Sequence, residues 1–186
     1  MNNKIVAAAC AVIAALGIYL YTGSGGTKTT EVATTPGSGQ SASQDIKQMV
    51  ADFSSRTLTA ESASITSTQL IVDNGGSNEA VYGLPEDEFF LSVAPYLDKT
   101  HPCATHSLTG CQGEMVGQSF GVTVEDADGK EIMNQTVKSQ PNGFIDLWLP
   151  RDQNYKLTIT HEGKEATSEI STFESDDTCL TSMQLS

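Results

Sequence analysis

Five side chains in this sequence have the types and spacing that could hold a soft metal ion or do thiol chemistry. His101, Cys103, His106 and Cys111 lie within "HPCATHSLTGC", and Cys179 stands near the C-terminus. Thiolates and imidazoles are ligands for Cu(I) and Zn(II). Pro102 biases His101 toward extended backbone, and residues two apart on an extended chain face the same side, so His101 and Cys103 can point together. His106 can return to Cys103 only through a turn, and Gly110 lets the chain fold back before Cys111. The spacing of Cys103 and Cys111 is longer than a zinc clasp usually shows, and Cys179, 68 positions beyond Cys111, can join them only through the tertiary fold.

Three readings of these cysteines stay open on spacing alone. Two can form a disulfide staple, stabilising the domain by about 2–4 kcal/mol; all three can bind a metal; or they are unrelated thiols. The first 21 residues narrow the setting. Residues 5–21, "IVAAACAVIAALGIYLY", are apolar throughout and follow Lys4, the pattern of an export signal or signal anchor. Lipid attachment at Cys10 is disfavoured, because the apolar run continues well past it. Export places the remaining three cysteines in an oxidising compartment, where an odd number leaves one sulfur without a disulfide partner inside the chain. That sulfur must be a free thiol, an intermolecular bridge or a metal ligand.

The elements that must position these residues follow from the hydrophobic pattern. Residues 1–22 read as signal peptide or anchor, and residues 23–43, rich in Gly, Ser and Thr, as a flexible linker. In "QDIKQMVADFSSR" Ile46, Met49, Val50 and Phe53 recur at helical spacing. "SITSTQLIVD" reads as a strand with a turn at Asn74-Gly75-Gly76. Together these predict a small N-terminal α+β domain over residues 44–84. From Pro85 onward, short strands and turns alternate: "DEFFLSVAPYL", with Pro95 marking an edge strand or a strand end, then "QSFGVTVED", "KEIMNQTVKSQ", "FIDLWLP", "NYKLTITHEG", "KEATSEISTF" and "CLTSMQLS". About seven strands at this spacing predict an antiparallel β-sandwich over residues 85–186. A C-terminal strand placed beside the first strand of that sandwich would bring Cys179 to the other thiols. The fold class expected is therefore mainly β, with a small α+β unit in front.

Other candidates have simpler explanations. Met183 and Met115 read as core, and Phe144 and Trp148 as sandwich packing. Asp126, Asp128 and Glu131 flank a turn glycine without the ligand count of a calcium loop, and His161 falls in a hairpin turn, where a solvated imidazole is expected. No phosphate loop, nucleophile-histidine-acid order or zincin motif is present. The formal charge of −13 argues against nucleic acid or an anionic membrane surface as partner.

The segment from "VTVEDADGKEI" through "NGFIDLWLPRDQNYKLTIT" resembles transthyretin-like or carboxypeptidase-regulatory sandwiches, which speaks to fold alone. The C-terminal half carries a closer likeness. "DEFFLSVAPYL", "THPCATHSLTGCQGE", "NGFIDLWLPRD" and "EISTFESDDTCLTSMQL" resemble the CueP-type periplasmic copper-binding proteins, over about 100 residues and with all three cysteines in place. The resemblance implies a copper site at Cys103, Cys111 and Cys179; from the residues themselves His106, and after it His101, are the imidazoles expected to complete or tune it. It implies Cu(I) as the bound ion, Cu(II) as a species the thiols reduce stoichiometrically, and zinc as a lesser alternative. It also implies a homodimer in the periplasm, a part in copper tolerance, and a chaperone-like supply of copper to a periplasmic superoxide dismutase. The long linker and the possible tether to the inner membrane by residues 5–21 depart from that pattern. The competing reading is a thiol–disulfide oxidoreductase or redox sensor working through Cys103 and Cys111, although no Cys-x-x-Cys opens a helix here.

Overall fold

The computed structural model describes residues 31–32, 39–76 and 79–186. The expected signal or anchor over residues 5–21 lies outside the described residues, as does most of the expected linker. Within the linker stretch, β1 (Glu31–Val32) pairs in parallel with Ala80 and Val81, and helix α1 (Gly39–Ser54) begins five residues earlier than the apolar spacing indicates. The pattern of apolar residues reports only the part of a helix that packs. Here Val50 and Phe53 are buried, with Ile46 and Met49 packed beside them. The helix ends where Arg56 takes a left-handed backbone (φ 64°), a common C-terminal device, and Thr57 N–H donates to Asp52 O at 2.9 Å.

The stretch expected to be one strand is a hairpin. β2 (Ser62–Ile65) and β3 (Gln69–Asp73) pair antiparallel, because the Thr66 hydroxyl accepts from the amides of Thr68 and Gln69 and closes a turn between them. β4 (Glu79–Gly83) continues the meander. The fifth strand of this sheet comes from far along the chain: β6 (His106–Ser107) pairs with Ile65 and Ser64, giving the order β1-β4-β3-β2-β6.

The remaining strands form the sandwich. One sheet is ordered β11-β10-β7-β8, from β7 (Ser119–Asp126), β8 (Glu131–Lys138), β10 (Asn154–His161) and β11 (Lys164–Ser171). The other is ordered β12-β5-β9, from β5 (Glu88–Tyr96), β9 (Ile145–Pro150) and β12 (Cys179–Gln184). Seven strands were expected, and seven are shared between these two sheets. Phe89, Leu91, Val93, Ile145, Leu147 and Leu149 pack from one sheet against Phe120, Val122, Val124, Leu157 and Ile159 of the other. Met115 and Met183 belong to this core.

Two details depart from the expected sandwich. β12 runs parallel to β5, and β5 is the middle strand of its sheet, so of the two readings of Pro95 the edge strand fails while the strand end holds, one residue before Tyr96. Pro95 lies at the register irregularity between Leu180 and Met183, where a missing N–H breaks no regular ladder.

β5 is also buried on both faces. Opposite the sandwich core, Phe90 and Trp148 (ring centroids 5.2 Å apart) join Val50, Phe53, Ile65, Leu70 and Leu108 in a second core. The α+β unit and the sandwich thus share apolar contacts across residue 84. The sheet β12-β5-β9 becomes the middle layer of three, and the cysteines lie on the side of it that faces the α+β unit.

Candidate metal centre

A row of polar side chains crosses that middle layer. Cys179 pairs with Ser92, and Ser92 pairs with Asp146, so three adjacent strands present a thiol, a hydroxyl and a carboxylate on one face. Side chains directly opposite across neighbouring strands are close enough to interact, and Ser92 Oγ donates to Asp146 Oδ1 at 2.7 Å. The neighbours of Ser92 on this face of β5 are apolar, Phe90 on one side and Ala94 on the other.

His106 meets this row from β6. Its ring is fully buried, with Nδ1 3.5 Å from Cys179 Sγ and Nε2 3.4 Å from Ser92 Oγ. The Phe144 ring packs on it at 4.6 Å between centroids. Backbone bonds hold the approach of β6 to β12. His106 N–H donates to Thr178 Oγ1 at 3.1 Å, Thr178 Oγ1 donates to Ile65 O at 2.6 Å, and the amides of Thr178 and Cys179 donate to Ala104 O. The bends at Ala104 and Thr105 are the turn needed to bring His106 back toward Cys103.

Beyond β6 the chain makes one more turn. Cys111 N–H donates to Ser107 O at 3.0 Å, while Ser107 N–H points back at Cys111 Sγ from 3.4 Å. The outer side of this turn rests on the α+β unit, where Arg56 donates to Thr109 O and Ala63 N–H to Thr109 Oγ1. After Cys111 the chain crosses the Asn142-Gly143 turn so closely that a Cβ on either Gly113 or Gly143 would lie 2.6 Å from the other's carbonyl oxygen. The crossing seats Cys111 against Phe144, which with Ala94 and Cys179 forms a small third core.

The result is one cluster. A ligand atom from each of Cys103, His106, Cys111 and Cys179 lies within 4.8 Å of the others, and Cys103 Sγ is 3.5 Å from Cys111 Sγ. All three cysteines are free thiols, so the disulfide staple is not formed here. Cys103 is partly exposed while the other three residues are buried, so the cluster meets solvent on the Cys103 side. His101 is not among the four. Its Nδ1 faces Pro102 O, and its ring centroid is 6.4 Å from that of Phe144.

The thiols divide their protons unequally. A hydrogen bond from Cys179 holds the Cys111 thiol well below its ordinary pKa, against the opposing effect of burial and with a smaller contribution from the Ser107 amide. The hydrogen bond to Cys111, then burial, pushes Cys179 up, and burial raises Cys103. A thiolate centred on Cys111 and hydrogen-bonded by a neighbouring thiol is a site in which a metal cation can take the place of protons.

One more carboxylate fixes the loop that carries Cys103. Glu114 Oε2 accepts from the amides of Leu97, Asp98 and Lys99 at 2.8, 3.0 and 3.2 Å, tying the end of β5 to the segment after Cys111. These bonds, the one from Asp98 foremost, hold the carboxyl below its ordinary pKa of 4.5. A carboxyl whose pKa is lower folded than unfolded stabilises the fold above the unfolded value and ceases to do so as pH falls through the folded one. Glu114→Gln is therefore expected to speed hydrogen exchange at those three amides at neutral pH, with the difference from wild type shrinking in acid. Equal exchange in both proteins at neutral pH would contradict this role.

Ser92 and Asp146 were not among the residues singled out from sequence. Their signal was present: each is a lone polar residue inside an apolar strand, "FFLSVA" and "FIDLWLP". His161 was expected to be solvated, yet its side chain is largely covered, with Nδ1 2.8 Å from Ser119 O and the Phe120 ring centroid 4.9 Å away. Asp126 behaves as the turn residue expected, accepting from the amides of Asp128 and Lys130.

Three sulfurs and an imidazole on a mainly β scaffold define a protein able to hold a soft metal ion, Cu(I) and Zn(II) being the ions such donors suit. The model of the family described as "Periplasmic copper-binding protein CueP" matches residues 44–184. The chain belongs to the CueP family of periplasmic copper-binding proteins. Among solved structures, one described as "Crystal Structure of S.CueP" is similar at 41% sequence identity and a TM-score of 0.72, over 76% of this chain and 89% of that one. Comparison with curated proteins gave no match. Among the described residues no helix is long and apolar enough to cross a membrane.

Proposed function

We propose that this protein sequesters copper as Cu(I), bound by Cys103, Cys111, Cys179 and His106. The observation that carries the proposal is the convergence of those four ligand atoms within 4.8 Å of one another, largely out of solvent. Membership of a copper-binding family supports copper over zinc, which the donor set would also accept. His101 lies outside the group and is assigned no bond to the ion. Copper tolerance follows from sequestration: a thiolate-bound, buried ion is kept from reacting elsewhere in the compartment.

The same site is suited to reducing Cu(II). Cys103 and Cys111, with sulfurs 3.5 Å apart, can join in a disulfide. Their two thiols then release two protons and two electrons, and two Cu(II) ions become two Cu(I). The reaction is stoichiometric, and Cys179 and His106 remain to hold a copper ion afterwards. Supply of that ion to a periplasmic superoxide dismutase, and action as a homodimer, are the further roles supported by the family likeness.

The test of the redox step is to add Cu(II) anaerobically to the fully reduced protein, counting Cu(I) and free thiols together. One thiol lost for each Cu(I) formed, with a Cys103–Cys111 disulfide in the peptide map, is the expected result. Cu(I) appearing without thiol loss would refute it. A disulfide that passes instead to other proteins' thiols, with no reduction of copper, would identify a thiol–disulfide oxidoreductase.

A further inference from the structure

The hydrogen bonds behind His106 determine which of its nitrogens faces the thiols. An ionised carboxylate accepts hydrogen bonds and cannot donate them, and a serine hydroxyl has one proton to give. Ser92 gives that proton to Asp146 Oδ1 at 2.7 Å. Toward His106 Nε2, 3.4 Å away, Ser92 Oγ can then offer only a lone pair, an arrangement that favours the tautomer with the ring proton on Nε2. In that tautomer the lone pair lies on Nδ1, the nitrogen 3.5 Å from Cys179 Sγ and turned toward the cluster.

We propose that Asp146, acting through Ser92, is a positioning residue that fixes the tautomer of His106 so that Nδ1 is the metal-binding nitrogen. The proposal rests on the copper-site reading above and adds the ligating atom and the groups that select it.

Two features of the fold support a dedicated role for the carboxylate. The registers that set Asp146 opposite Ser92, and Ser92 opposite Cys179, place the relay and one of the sulfurs in a single row across three strands, so a shift of any strand would break it. Asp146 also makes one side-chain hydrogen bond among the described residues, to Ser92. Its second oxygen, Oδ2, is buried with no partner among those residues, an arrangement that opposes folding. An acid held against that cost, and aimed at a hydroxyl that touches a ligand's far nitrogen, matches the outer-sphere carboxylates that set histidine tautomers at metal sites.

The direct test is nitrogen-15 NMR of the reduced, metal-free protein, using two-bond correlations that distinguish a protonated ring nitrogen from a bare one. Wild type is expected to show His106 protonated on Nε2 and bare on Nδ1. Asp146→Asn keeps the shape of the side chain but can donate to Ser92 Oγ, which frees the Ser92 proton for Nε2 and moves the ring proton to Nδ1. That shift should appear in the spectrum, and Cu(I) affinity should fall by about 10–100-fold, as for loss of other outer-sphere partners. Ser92→Ala removes the relay without supplying a new donor; it should give a mixture of tautomers and a smaller loss. Wild type protonated on Nδ1, or an Asp146→Asn spectrum unchanged from wild type, would overturn the proposal. Because the NMR reading needs no copper, it stands apart from the binding claim: an Nε2-protonated His106 in a protein that binds no copper would uphold the relay and reject the copper site.

Discussion

Replacing Cys111 by serine is expected to lower Cu(I) affinity by more than the roughly 10–100-fold that removal of an outer-sphere partner costs. Cys111 is the sulfur on which the cluster's thiolate is centred, and it lies 3.5 Å from Cys103 Sγ. A serine oxygen is a hard donor that stays protonated at neutral pH, so it offers a soft cation neither the charge nor the polarisability of a thiolate. Cys103→Ser and Cys179→Ser should act in the same direction. The sharpest comparison is with His101→Ala, which removes a residue outside the four-ligand group and should weaken binding less than any of the three. Competition with a chromophoric Cu(I) chelator under anaerobic conditions ranks all four variants. Unchanged affinity in all three serine variants would remove the thiol site altogether.

The second large effect is expected on stability and binding together. Phe144 is fully buried and packs against His106 while sharing its small core with Ala94, Cys111 and Cys179. Phe144→Ala should destabilise the fold by about 3–5 kcal/mol, the usual sum of lost transfer energy and residual cavity for such a change. It also leaves the imidazole free to tilt away from Cys179, so Cu(I) affinity should fall although no ligand has been altered. Urea denaturation would register the first effect as a lower midpoint at a similar slope, and chelator competition the second. A stability loss below about 0.5 kcal/mol, within the range of ordinary surface changes, would mean that Phe144 does not hold the site together.

Much of this architecture is legible in the sequence because hydrophobic spacing records burial. The alternation in "GVTVED" and "KLTIT" predicts half-buried strands, and Ile46, Met49, Val50 and Phe53 mark the packed face of α1. The cysteines and His106 also stand out, as candidate ligands in a chain whose N-terminus reads as an export signal or anchor. What burial patterns do not carry is strand partnership. Nothing local shows that β6 leaves the sandwich to extend the N-terminal sheet, or that β12 lies parallel to β5. Those pairings are what bring His106 and Cys179 within 3.5 Å of each other. His101 shows the same limit: extended spacing aligns it with Cys103, whereas the cluster the fold assembles contains His106 and not His101. The relay of Ser92 and Asp146 was recorded in the sequence only as two polar residues where apolar ones would be more stable. Its meaning needed the register of three strands.

The central claim, a copper ion held by three sulfurs and one imidazole, is tested most directly by copper X-ray absorption. The sample is the reduced protein loaded anaerobically with one equivalent of Cu(I). The account predicts a first shell dominated by sulfur with a nitrogen contribution, and a weaker sulfur signal in each Cys→Ser variant. A shell of nitrogen and oxygen alone, or a sulfur shell indifferent to those substitutions, would contradict it.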